Sequence, residues 1–162
     1  SIIQTVGKDV ARFFYLHRKA DAQLEFDIEL ALKKTDENPV YYVQYAYVRT
    51  KSILQKATES LGDNPITEAD ALHITQEEYT LLRKMLSLKE ILMAISKKRE
   101  THTLAHYVHE LAQVYNKYYS NHRVIDASNI PQSRARLLVT QLVHETIGLC
   151  LDLLGLSKPD RM

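Results

Sequence analysis

The chain has 162 residues, 45% hydrophobic and 25% charged, enough for one domain with a sizeable core. Its net charge of +1 is not that of a protein that grips phosphates indiscriminately, and four Gly and four Pro leave too few turns for an all-β fold. No apolar run approaches the ~20 residues of a membrane span. There is also no signal peptide with a basic start and an apolar centre.

The chain opens on Ser1 and enters an apolar segment abruptly, as expected of a piece cut from a longer protein. Val6 to Arg18 reads as a short helix. In AQLEFDIELALKK, the residues Leu24, Phe26, Ile28 and Leu30 alternate as in a strand, but Asp27 can cap a helix running to Lys34, which is the favoured reading. Asn38-Pro39 is a helix start, a capping side chain followed by a proline in the first turn, and Gly62 is the expected stop. A polar loop, GDNPITEADALHI, follows. Thr75 and Glu78 then match a capping box that opens a second long helix, to about Lys98. A third helix is predicted from about Thr101 to His122. A fourth begins at Pro131 and closes near Leu154, before Gly155 and Pro159. Four long helices with short connections describe an all-α helical bundle. The single cysteine, Cys150, lies between Leu149 and Leu151 and reads as a buried thiol; a reducing, cytoplasmic setting is expected.

Charge is less even than the total. Lys97, Lys98, Arg99, Lys117, Arg123, Arg134 and Arg136 face only Glu100, Glu110 and Asp126 in that stretch, an excess of four cations. Such a surface permits RNA binding and equally suits a solvated face.

The stretch NPVYYVQYAYVRTKSI is unusually rich in tyrosine. At about 100° per residue, Val40, Val43, Tyr47, Leu54, Ala57 and Leu61 share an arc roughly 100° wide, the core stripe. Tyr42, Tyr45 and Arg49 fall in a separate arc roughly 140° away. They suit either packing against another helix or a platform on which rings stack on unpaired bases beside a cation. In the third helix, Leu104, Val108, Leu111, Tyr115 and Tyr118 share the apolar stripe, so periodicity places Tyr115 in the core. His102, His106 and His109 share the opposite face. Their spacing could in principle surround a zinc ion, but Glu110 does not share that face, and exposed helix positions or an RNA-facing surface are the expected reading. No metal site is expected. Phosphate-loop, dinucleotide-binding, zinc-protease and nucleophile-elbow motifs are absent, and carboxylates such as Glu77 and Glu78 sit at a helix start, where they suit the dipole. The residues imply no catalytic machinery.

Three blocks together resemble the C-terminal part of arginyl-tRNA synthetases: DVARFFYLHRKADAQLEFDIELA, NPVYYVQYAYVRTKSI, and LAHYVHELAQVYNKYYSNHRV with SRARLLVTQLVHETIGLCLDLLGLSKPDRM. The resemblance covers nearly the whole chain, with Glu59 to Lys97 least distinctive. It implies that residues 1–37 connect from a catalytic domain and that residues 38–162 form an α-helical anticodon-binding domain, of the kind also found in cysteinyl-tRNA synthetases. The family's H-I-G-H-type motif is absent from this sequence, so the piece is expected to be inactive alone. The parent would join arginine to its tRNA using ATP with magnesium, whereas this piece needs no cofactor. The resemblance further implies that Tyr42, Tyr45 and Arg49 lie against the anticodon loop of arginine tRNA. Tyr115 and Met162 would help enclose its middle base, a role for Tyr115 that runs against its periodicity. Tyr47, Thr50 and Lys51 depart from the family's usual residues. The expected partners are arginine tRNA and the catalytic domain of the same polypeptide, with no membrane and a monomeric state. Two other readings remain: a helical module that docks a protein through its tyrosine face, and the anticodon domain of a sister enzyme such as a cysteinyl-tRNA synthetase.

Overall fold

A computed structural model describes residues 2–19 and 26–162. The N-terminal part holds three short helices, α1 (Ile2–Val6), α2 (Lys8–Leu16) and α3 (Ile28–Leu32). The bundle follows: α4 (Pro39–Leu61), a 3-10 turn (Glu68–His73), α5 (Gln76–Leu86), α6 (Leu88–Lys98), α7 (His102–Asn121) and α8 (Ile130–Leu154). Among the described residues there is no strand, and Asp27 caps α3 by accepting from the Leu30 amide. Leu24, part of the alternation noted in the sequence, lies outside the described residues.

Local capping sets most of the helix ends. Asn38 is buried and accepts from the Val40 amide, while its Nδ2 donates to the carbonyls of Ala31 and Lys33. One side chain thus starts α4 and ties it to the end of α3. Gly155 ends α8 in the left-handed region at φ 66°. A Cβ there would also strike Arg12, whose Nη1 donates to the Gly155 carbonyl at 2.8 Å.

The long helix expected from Thr75 to Lys98 is in fact two, broken at Ser87. An unbroken helix would give the Lys84 carbonyl to the Leu88 amide. Here Ser87 Oγ (2.7 Å) and the Tyr107 hydroxyl (2.9 Å) take that carbonyl instead. Leu88 turns into the core and α6 leaves to lie along α7. The polar loop before Thr75 also gains a 3-10 turn, fastened where Arg134 of α8 pairs with Asp70 at 2.7 Å.

Helix α8 packs against α4, α5, α7 and the 3-10 turn. By length and apolarity alone it could cross a membrane, but half of its most apolar window is buried inside the bundle. The main core joins Val40, Val43, Leu111, Tyr115, Val143 and Ile147, among others, and Cys150 lies within it, its thiol pushed up to about 12 by burial. A smaller cluster of Val6, Ala11, Phe14 and Ala31 holds the N-terminal helices together. Phe13 of α2 reaches the main core, so α2 bridges the two.

Candidate nucleic-acid interface

Helix α4 is covered by α8 and α7 at once, so its buried surface is wider than a single stripe. Ala46, Val48, Thr50 and Ile53 are buried beside Val40, Val43 and Ala57. Tyr47 is half-buried against the core and stacks on His144, with ring centroids 4.4 Å apart. Tyr42 is also half-buried against the core, its ring edge-on to His109 at 5.7 Å. Tyr45 and Arg49 stay at the margin, and the structure separates them from Tyr42.

Arg49 is held from several sides. Its Nη1 donates to Asn116 Oδ1 at 2.8 Å and its Nη2 to the Tyr45 hydroxyl at 2.9 Å. The guanidinium carbon lies 4.6 Å from the centre of the Tyr45 ring and 4.9 Å from that of Tyr119. Cation–π attraction of ~0.5–1 kcal/mol per ring at an exposed site adds to these bonds. The cation is therefore fixed in place before anything binds.

Beside this sandwich opens a hollow of about 800 Å³ between α4, the end of α7 and the loop that follows. Tyr45, Arg49, Lys56, Tyr119, Arg123 and Met162 are on its wall, and no Asp or Glu side chain lines it. Its volume suits one unstacked nucleotide or a similar ligand. Three cations with no Asp or Glu side chain among them make it receptive to phosphate, and the rings offer stacking faces.

Met162 reaches the hollow because the end of the chain folds back along α4. Leu156 is buried, Ser157 bonds to Asp9 and accepts from Gln44, and Lys51 pairs with Asp160 at 2.6 Å. Thr50, the other unusual residue beside Arg49, is buried and meets His144 Nδ1 at 2.9 Å.

Tyr115 takes a different position. It is fully buried, its hydroxyl lies 3.2 Å from Thr140 Oγ1, and burial pushes its phenol well above the usual range. It does not line the hollow. It lies behind Tyr119, the two rings 6.4 Å apart and 24° from parallel. Periodicity placed Tyr115 in the core for the same reason: it shares a stripe with Leu111 and Tyr118.

The outward ring is Tyr119, which sequence reasoning missed along with Asn116 and Lys56; Arg123 belongs to the cation-rich stretch noted in the sequence. The doublet Tyr118-Tyr119 held a signal. Adjacent helix residues differ by ~100°, so with Tyr118 committed to the core stripe its neighbour must face elsewhere.

A buried polar chain supports the hollow from behind. Glu78, fully buried, accepts from the Thr75 amide (2.8 Å) and the Tyr118 hydroxyl (2.6 Å). Arg136 Nε sits 3.4 Å from the same carboxylate without an aligned hydrogen bond, and its Nη1 donates to the Arg123 carbonyl at 2.7 Å. The chain runs from the cap of α5 to the loop that walls the hollow.

The three histidines of α7 form no metal cluster; among the described residues no set of three or more such side chains is placed to hold one. They pack with His17, which caps the end of α2 and whose ring centroid lies 3.8 Å from that of His106 and 6.4 Å from that of His109.

Comparison with known proteins bears on this geometry. The family model described as DALR anticodon binding domain matches residues 43–162. An arginine–tRNA ligase of Desulfovibrio desulfuricans is 40% identical over 164 residues, covering 99% of this chain and 30% of that protein. Arginine–tRNA ligase 1 of Halalkalibacterium halodurans is 40% identical over 162 residues, covering 99% of this chain and 29% of its own length. The chain thus spans about three tenths of these curated relatives. Among solved structures, the arginyl-tRNA synthetase of Thermus thermophilus superposes with a TM-score of 0.81 at 28% identity, over 98% of this chain and 27% of that one.

Proposed function

Because the chain belongs to the DALR anticodon-binding domain family, we propose that it binds the anticodon loop of an arginine tRNA. The observation that carries this reading is the Arg49 guanidinium, clamped between Tyr45 and Tyr119 at the edge of a hollow that no acidic side chain lines. A splayed base can stack on a tyrosine ring while Arg49 contacts its edge or a phosphate, with Lys56 and Arg123 offering further charge. Met162 closes one side of the hollow around the middle base. Tyr115 serves that base from behind, through Tyr119. Tyr42 acts mainly as packing that sets the height of α4. The chain works within a larger cytoplasmic polypeptide whose catalytic part joins arginine to the tRNA using ATP with magnesium. The names and coverage of its relatives support a place within a longer arginine–tRNA ligase.

The test is binding of the full chain to arginine-tRNA and cysteine-tRNA anticodon stem–loops across a salt series. RNA binding should favour the arginine loop and weaken steeply with salt. Tyr45→Ala with Arg49→Ala should reduce affinity at least tenfold. If the double variant binds as tightly as the unaltered chain, the reading is wrong. Salt-insensitive capture of a protein instead would favour a protein-docking module.

A further inference from the structure

A row of aromatic and cationic groups runs along one edge of α4. Tyr41, Tyr45 and Arg49 follow at i, i+4 and i+8, each step advancing about one turn with only ~40° of rotation. The Tyr41 and Tyr45 rings lie 6.2 Å apart and 6° from parallel. Arg49 covers Tyr45, and Tyr119 covers Arg49. The large hollow uses the Arg49–Tyr119 end of this row.

The other end opens on a second hollow, of about 510 Å³, lined by Lys34, Thr35, Asp36, Glu37 and Tyr41. Tyr45 and Arg49 also line it, so they are a wall shared by both hollows. Unlike Tyr42 and Tyr47, Tyr41 is not among the residues packed against either core cluster. It sits at the bundle's margin, and core packing does not account for it.

The two hollows differ in charge. The first has no carboxylate side chain, whereas the second sets Asp36 and Glu37 against Lys34 and Arg49. Lys33 occupies Glu37, while exposed Asp36 has no hydrogen bond or ion pair among the described residues. A carboxylate repels phosphate but accepts from the exocyclic amino group of a base. An aromatic wall with a charge-balanced rim and one carboxylate, Asp36, unpaired among the described residues therefore suits a flat, uncharged ring that carries N–H donors.

We propose that the hollow at Tyr41 is a second base-binding subsite, one that takes an unpaired nucleobase with an exocyclic amino group from a nucleotide neighbouring the one held at Arg49 and Tyr119. The strand straddles the Tyr45–Arg49 wall, with one base on each side. Tyr41 supplies the stacking face and Asp36 accepts from the amino group. This subsite rests on the reading of the chain as an anticodon-loop binder.

The experiment uses the full chain and arginine-tRNA anticodon stem–loops in which 2-aminopurine replaces each loop nucleotide in turn. On binding, fluorescence at one position beside the Arg49-bound nucleotide should be quenched through Tyr41. Tyr41→Ala should abolish that quenching and lower affinity about tenfold, in line with roughly 1–3 kcal/mol per stacked base. Tyr41→Phe should behave as the unaltered chain. Asp36→Ala should narrow the preference for an amino-bearing base over uracil at that position. The subsite is disproved if Tyr41→Ala leaves every probe and the affinity unchanged while Tyr45→Ala and Arg49→Ala weaken binding; the anticodon reading then stands. It is equally disproved if Tyr41→Ala lowers affinity without altering the signal of any one nucleotide, which marks a packing role. If none of the three variants affects RNA binding, the anticodon reading falls with it.

Discussion

Arg49 on α4 donates through Nη1 to Asn116 Oδ1 on α7 at 2.8 Å, a bond that spans the two helices framing the larger hollow. Asn116 is only 8% exposed, so its amide is a fixed anchor, and the guanidinium is oriented without help from a ligand. Asn116→Ala should cost RNA affinity about two- to tenfold, the worth of one such bond at roughly 0.5–1.5 kcal/mol. Asn116→Asp separates orientation from charge. It tightens the hold on Arg49 and should raise the melting temperature. It also adds an anionic charge beside the hollow and should lower RNA affinity, most of all at low salt. Calorimetric melts beside RNA titrations check both directions.

The Lys51–Asp160 pair holds the last residues against α4 and so sets the place of Met162. The pair is exposed and should add little to global stability. Asp160→Ala should leave the melting temperature nearly unchanged yet raise protease sensitivity and amide exchange at the end of the chain. RNA affinity should fall to the same degree as in Met162→Ala. Unequal losses would show that the pair does not act through Met162.

Burial works to raise the Glu78 carboxyl, but hydrogen bonds from Thr75 and Tyr118, with Arg136 nearby, outweigh it and hold the group below its usual 4.5. A carboxylate depressed in the folded state adds stability that is present above the unfolded value and lost as pH falls through the folded one. Glu78→Gln should therefore destabilise the chain by about 1–3 kcal/mol near neutral pH. The gap in melting temperature between the two proteins should close as the pH drops below about 4.5. A gap that widens on acidification would contradict the assignment.

His17 is driven the opposite way to a paired histidine. Burial first, and then His106, His109, Arg18 and His102, lower it from 6.5 to about 4. Its Nε2 is buried without a hydrogen-bond partner, and its ring stacks near Phe13 at 5.4 Å. Folding thus favours the neutral ring. The stabilisation is complete above 6.5 and is lost as pH falls from 6.5 toward 4. Docking of α2 on α4 and α7 should loosen over that window, and His17→Phe should reduce the sensitivity, with His109, also lowered by burial, keeping part of it. Thermal melts of both proteins at pH 7 and pH 5 test this.

Much of the architecture was readable from local sequence. Asn38-Pro39, Gly62, the Thr75–Glu78 box and Gly155 mark helix ends that the structure places within a residue or two, because capping acts over a few residues of chain. The break at Ser87 was not readable. It depends on the Tyr107 hydroxyl, 23 positions away from the Lys84 carbonyl that it takes. The site was legible in part. Tyr45 and Arg49 were identified, and the structure brings them together with Met162. Tyr41 and Tyr119 were not identified, and Tyr115 came to the list through the resemblance.

The sequence by itself determined the all-α class, the capped ends of the long helices and the kinship with anticodon-binding domains, since each rests on local chemistry or on residue identity along the chain. Only the tertiary structure decided which tyrosines of α4 pack against the core. Two helices cover α4 at once, so Tyr42 is drawn against His109 while Tyr41 and Tyr45 stay at the margin with Arg49. That division depends on neighbours far away in sequence, and the period of a single helix carries no information about them.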